Sequence, residues 1–181
     1  DNGYGVVVLP AGAYTLTEAI PEGYAPMKAR TVNIEEGKTT SLTGDNAIVN
    51  YADTGTLTIT KLLAEYAGQQ EGAVNVANKV TDASFTFNIY RSTSETVPTE
   101  GKPHTTAAIA AGASSTTVSL DVADENGNPY YYIVTEVAGE DARFTYDSNS
   151  VSFDFVGGKA GAYTTTASAT FTNVLKSKLS I

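Results

Sequence analysis

Short runs of alternating apolar and polar residues, separated by turn-forming clusters, occupy most of this 181-residue chain. The run Leu57-Thr58-Ile59-Thr60-Lys61-Leu62-Leu63 sets the pattern. Side chains alternate faces along a strand, so Leu57, Ile59, Lys61 and Leu63 share one face and Thr58 and Thr60 the other. The same alternation predicts strands over 56–63, 83–91, 104–110, 115–122, 129–137, 143–146, 150–156 and 163–175. Asn126-Gly127 centres a strong turn at 124–129, and Gly157-Gly158 marks another. Earlier in the chain, strands are expected at 5–9, 13–18, 29–34, 39–42 and 47–51, with 29–34 and 39–42 forming a hairpin around Glu35-Glu36-Gly37-Lys38. Residues 62–80 are the one stretch that could hold a short helix, and Gly68 and Gly72 weaken it. The pattern is that of an all-β sandwich.

An internal repeat divides the chain. Tyr14-Thr15-Leu16-Thr17-Glu18 matches Tyr132-Ile133-Val134-Thr135-Glu136 in spacing, and each is followed by a strand ending in asparagine, at Ile48-Val49-Asn50 and Phe171-Thr172-Asn173. Residues 1–53 therefore read as the C-terminal half of one unit and 54–175 as a complete one, with 53–55 as the linker. Lys178-Leu179-Ser180-Ile181 echoes Thr56-Leu57-Thr58-Ile59, so 176–181 reads as the start of a further strand or domain.

Three polar residues interrupt the apolar faces: Lys61, Glu136 on the face of Tyr132 and Val134, and Asn173 on the face of Phe171 and Leu175. Such groups are costly in a core unless they meet. In an apolar pocket lined by residues such as Phe85, Phe87, Tyr132 and Phe171, burial pushes an amine towards its neutral, nucleophilic form and a carboxyl towards its protonated form. A neutral amine beside an amide carbon can attack it while the acid moves the proton to the leaving ammonia, giving a Lys–Asn isopeptide bond formed once and not turned over. The competing reading is an ordinary buried ion pair, or a lysine snorkelling to the end of the sheet. Glu18 also lies on the apolar face, with Tyr14 and Leu16, and forms with Asn50 a second candidate pair that has no lysine strand ahead of it.

Composition narrows the classes. The net charge of −9, with 11 Lys and Arg and no basic patch, argues against nucleic acid. No apolar run reaches the roughly 18–20 residues that span a membrane. With no cysteine there is neither disulfide nor thiol chemistry. His104 is the only histidine, so no metal cluster or hydrolase triad can be built around it, and no cofactor is expected. Asp121, Asp124, Glu125, Asn126 and Asn128 loosely suggest a calcium loop, but their spacing is not that of an EF-hand and a solvated turn is the favoured reading.

The segment YTLTEAIPEGY (14–24) resembles the acid-bearing "E-box" of the B-type repeats in Gram-positive collagen adhesins and pilins. Residues 56–175 resemble the isopeptide-linkage domain of streptococcal-type backbone pilins, through LTITK (57–61), SFTFNIY (84–90), YYIVTEVAGEDARFTYDSNSVSF (131–153) and ATFTNV (169–174). The resemblance implies tandem Ig-like β-sandwich domains with Greek-key-type connections. It implies Lys61 and Asn173 as the bonded pair and Glu136 as catalyst, with Glu18 and Asn50 in the corresponding roles of the first unit, whose lysine is missing from this sequence. It further implies a structural segment of a secreted pilus, fibre or adhesin stalk at the surface or cell wall of a Gram-positive bacterium, with neighbouring domains or subunits as partners and no turnover chemistry. Two alternatives stay open: a module that binds a host protein or glycan through loops 92–104 and 157–163, and a subunit that polymerises by strand exchange between chains.

Overall fold

The computed structural model describes residues 5–43, 47–157 and 163–176. Strands dominate, and among the described residues the only helical segments are short 3₁₀ turns at Ala67–Gly72 and Val76–Asn78, within the glycine-weakened stretch. Among the described residues no helix is long and apolar enough to cross a membrane.

Residues 54–175 form two sheets enclosing one core. The first is organised on β3 (Thr54–Ala64), which lies parallel to β11 (Thr166–Leu175) along nearly its whole length. The other edge of β3 pairs with β7 (Ser115–Asp121) and then with the two-residue β4 (Val74–Asn75), while β9 (Phe144–Thr145) closes the far side of β11. The second sheet is antiparallel throughout, in the order β10 (Ser150–Asp154), β8 (Tyr131–Glu136), β5 (Phe85–Ser92), β6 (Thr105–Ile109). From β6 onward the chain changes sheet at every step: β7, β9 and β11 lie in the first, β8 and β10 in the second.

Period-two burial explains the arrangement. Leu57, Ile59 and Leu63 of β3, Phe85, Phe87 and Ile89 of β5, Tyr132 and Val134 of β8, and Ala169 and Phe171 of β11 are buried in one cluster. Gly55 is needed at the start of β3, since a Cβ there would lie 2.4 Å from the ring of the buried Phe155.

The first 53 residues are less regular than their pattern predicts. Among its described residues the only two-stranded pairing joins β1 (Gly12–Leu16) to β2 (Arg30–Ile34). The expected hairpin of 29–34 with 39–42 is not formed. The turn at Glu35 is present, with Lys38 N–H donating to Glu35 O (3.2 Å), but beyond it only the Thr40 hydroxyl reaches back, to Asn33 O (3.1 Å). Residues 5–9 and 47–51 are not strands either; near the latter only a bridge between Tyr24 and Ala52 forms. A strand exists only where its backbone groups find a neighbour. Val6, Val7, Val8, Ile48 and Val49 are accordingly exposed, Val6 at 94%. Residues 53–55, expected as a linker, instead pass into β3, which begins at Thr54.

This segment touches the sandwich at a few points. Gly127, at positive φ (75°), packs against the backbone of 26–28 so closely that a Cβ would lie 2.4 Å from Lys28 N. Tyr51 packs on Tyr163 at 4.7 Å, and the Tyr163 hydroxyl accepts from Ala52 N–H (2.7 Å). The predicted opening of a further unit at 176–181 lies, from 177 on, outside the described residues; Lys176 N–H donates to Arg143 O (2.8 Å).

Candidate functional site

Regular alternation in three strands delivers Lys61, Glu136 and Asn173 to one point in the core. Lys61 extends β3's apolar face, and its side chain and that of Glu136 are both fully inaccessible. Asn173 continues the buried face of Ala169 and Phe171. In the parallel ladder Lys61 stands opposite Phe171, so Asn173 is one same-face step further along, within reach of a long side chain. Glu136 enters from the opposite sheet, at the end of β8, where it pairs with Phe87.

The three groups are fully hydrogen-bonded to one another. Lys61 Nζ donates to Asn173 Oδ1 (2.6 Å) and to Glu136 Oε2 (2.8 Å). Asn173 Nδ2 donates to Glu136 Oε1 (3.0 Å). One carboxylate thus touches both the amine and the amide nitrogen, one oxygen for each. The amine lies 5.4 Å from the Phe85 ring centroid and 6.0 Å from that of Phe171, and Phe87 packs on Phe171 at 5.1 Å. Tyr132, expected to line this pocket, stacks instead on Phe153 (5.2 Å) and gives its hydroxyl proton to Asp121 O (2.6 Å).

Burial is the largest influence on Lys61 and pulls its pKa below the ordinary lysine value; the negative charges of Glu136 and, more weakly, Asp147 oppose it without reversing the direction. The result is an amine biased towards its nucleophilic form, held against an amide and a proton acceptor.

Asp147 is the participant that the sequence pattern does not reveal. Its backbone N–H donates to Asn173 Oδ1 (2.7 Å) and to Glu136 Oε2 (3.0 Å). Its carboxylate accepts from Thr172 N–H (2.7 Å), Asn149 N–H (3.0 Å) and Asn149 Nδ2 (2.7 Å). The only signal for it is the Asp-Ser-Asn cluster after β9, which marks a turn.

The second candidate pair also meets: Asn50 Nδ2 donates to Glu18 Oε1 at 3.0 Å, the same contact as between Asn173 and Glu136. It differs in setting, for Asn50 is exposed and no lysine joins the pair in any described hydrogen bond or ion pair. At the acidic turn, Asp124 spends its oxygens on Asn126 N–H (2.9 Å) and on Asn128 N–H and Nδ2, while Asp121 pairs with Arg91 (2.7 Å). Among the described residues no group of three or more potential metal ligands clusters.

No family model matches the chain, and no curated protein sequence does. Solved structures of similar shape include the TIE protein of Bacillus anthracis (15% identity, TM-score 0.44, 92% of this chain and 26% of that one). The shaft pilin SpaA of Lactobacillus rhamnosus GG matches over 68% of this chain and 50% of its own, at 15% identity and a TM-score of 0.41. The minor pilin of Streptococcus agalactiae matches over 96% and 64%, at 12% identity and 0.40. The chain thus spans between about a quarter and two thirds of the length of these structures.

Proposed function

We propose that this chain is a structural, load-bearing segment of a cell-surface fibre or adhesin stalk, stabilised by a spontaneous isopeptide bond between Lys61 and Asn173. The observation that carries this reading is the position of Glu136, whose two oxygens bond the nucleophilic nitrogen and the leaving nitrogen separately. Proton transfer from the Lys61 ammonium to Glu136 leaves a neutral amine and a carboxylic acid. The amine attacks Asn173 Cγ, forming the new C–N bond as the carbonyl π electrons move to Oδ1. Glu136 gives its proton to Nδ2; the carbonyl re-forms, the C–Nδ2 bond breaks and ammonia departs. Glu136 then removes the surplus proton from Nζ and ends protonated. No co-reactant is consumed, and the product no longer contains the nucleophile, so the chemistry ends after one event.

The bond would tie the first strand of the 54–175 unit to its last, across 112 positions of sequence. In this reading 54–175 is a complete Ig-like domain and 1–53 the C-terminal half of another, with neighbouring domains or subunits as partners and the Gram-positive surface or cell wall as location. Intact mass spectrometry tests the central claim. The purified chain should weigh one ammonia less than its sequence, and Lys61→Ala or Asn173→Ala should each restore the full mass. A parent chain of full mass would remove the reading altogether.

A second bond at Asn50 is supported by the acid–amide contact at Glu18 and by the exposed Val6, Val8, Ile48 and Val49 around a unit of two paired strands. A lysine-bearing strand, from a preceding segment or another chain, would complete it. In the 181-residue chain, peptides containing Asn50 should be unmodified. Adding such a strand in trans should link them with loss of ammonia, and failure to link at any concentration would leave Glu18–Asn50 a surface hydrogen bond.

A further inference from the structure

Resting on the cross-linking reading, we propose that the backbone N–H of Asp147 is the oxyanion donor of the reaction, and that the Asp147 carboxylate holds it in position. Two donors reach Asn173 Oδ1: Lys61 Nζ at 2.6 Å and Asp147 N–H at 2.7 Å. Only one of them can remain there. As Lys61 Nζ forms its bond to Cγ it ceases to be a hydrogen-bond donor aimed at Oδ1, at the moment when negative charge arrives on that oxygen. The Asp147 N–H takes no part in bond making. It keeps its place against the oxygen and strengthens as the charge grows, which is the behaviour that lowers a barrier.

Its contact with Glu136 Oε2 (3.0 Å) fits the same sequence of events. In the starting ion pair the N–H is shared between two oxygens. When Glu136 is protonated its oxygen becomes a poorer acceptor, and the N–H is released to the amide oxygen as the attack begins.

The donor is fixed on two sides. β9 pairs with Val174 and Leu175 and then leaves β11, so Thr172 N–H has lost its ladder partner at that point. The Asp147 carboxylate takes that N–H with one oxygen and the Asn149 N–H with the other. The residue that supplies the donor is thereby tied to the strand that carries the electrophile, one position before Asn173. Movement of the turn and movement of the amide are coupled, which preserves the short contact between them.

Cell-free synthesis of the full chain, quenched at intervals and weighed intact, reads the rate of ammonia loss. Asp147→Pro, which has no N–H, should slow the loss by about 10²–10³-fold, the usual effect of removing one oxyanion donor. Asp147→Ala keeps the N–H without its anchors and should be slowed by a smaller factor. Asp147→Asn, which retains an oxygen for Thr172, should return close to the parent rate. Thermal unfolding, compared with the uncross-linked Asn173→Ala chain, shows whether each variant is folded. If Asp147→Pro does not fold, the contrast between Asp147→Ala and Asp147→Asn decides. A purely structural role would lower the melting temperature yet leave folded Asp147→Ala and Asp147→Pro cross-linking at the parent rate, and that result overturns the proposal. A parent chain that never loses ammonia defeats the cross-linking reading itself and this one with it.

Discussion

Glu136→Ala should be the most damaging single substitution at the site, more so than Asn173→Ala, although both should abolish the proposed bond. Closing a loop of this length stabilises by about 4–5 kcal/mol if the cross-link behaves like a disulfide of similar span. Both variants lose that contribution. Asn173→Ala leaves Lys61 bonded to Glu136 at 2.8 Å, a satisfied ion pair in the core. Glu136→Ala strands the fully buried Lys61 without its ion-pair partner, leaving only the weaker attraction of Asp147, and breaking a buried pair costs about 3–5 kcal/mol in addition. The two variants should therefore melt roughly 10–15 °C apart, with Glu136→Ala lower. Thermal unfolding of the two uncross-linked chains measures the difference. Coincident melting would mean that Glu136 matters only through the bond.

Pulled from its ends, the 54–175 unit should not extend in the parent chain and should unravel in Asn173→Ala. β3 and β11 are parallel neighbours, so a force applied at Thr54 and Leu175 runs along both strands in opposite senses and shears the ladder between them. In the cross-linked chain the load passes from Lys61 to Asn173 through covalent bonds, and the 111 residues between them lie outside its path. Without the link the load falls on non-covalent contacts alone, with the β3–β11 ladder sheared first. Once it fails the unit should lengthen by roughly 400 Å, from about 3.5 Å per residue in an extended chain. Single-molecule force spectroscopy with handles at the two ends distinguishes the cases. An extension of that size in a parent chain already shown to lack one ammonia would place the bond outside the loading path.

Much of the site was legible because face assignment in a regular strand needs only parity. Lys61, Glu136 and Asn173 are each an even number of positions from a buried apolar residue of the same strand, and all three side chains reach the same interior point. Asp147 was not legible, since its contribution at the reacting oxygen is a backbone N–H, which every residue but proline carries. Its place depends on where β9 stops pairing, and no side-chain pattern records that. The parallel alignment of β3 with β11 was likewise hidden: alternation gives a face but no neighbour. The same gap explains the first segment. Val6-Val7-Val8 and Ile48-Val49 have strand-forming side chains, yet pairing is a property of two segments, and no second segment forms a ladder with them among the described residues.

The alternation of the chain between sheets gives the proposed reaction a place in folding. Nucleophile and electrophile come from one sheet and the acid from the other, and β8, β9 and β11 reach their sheets only after successive crossings. A chain with one sheet misregistered by a single residue would turn one of the three groups to the outside. The proposed covalent closure would thus be reserved for molecules whose two sheets have docked in register, and it would be irreversible. On the proposed reading the bond is a permanent proofreading mark, written only on correctly assembled copies.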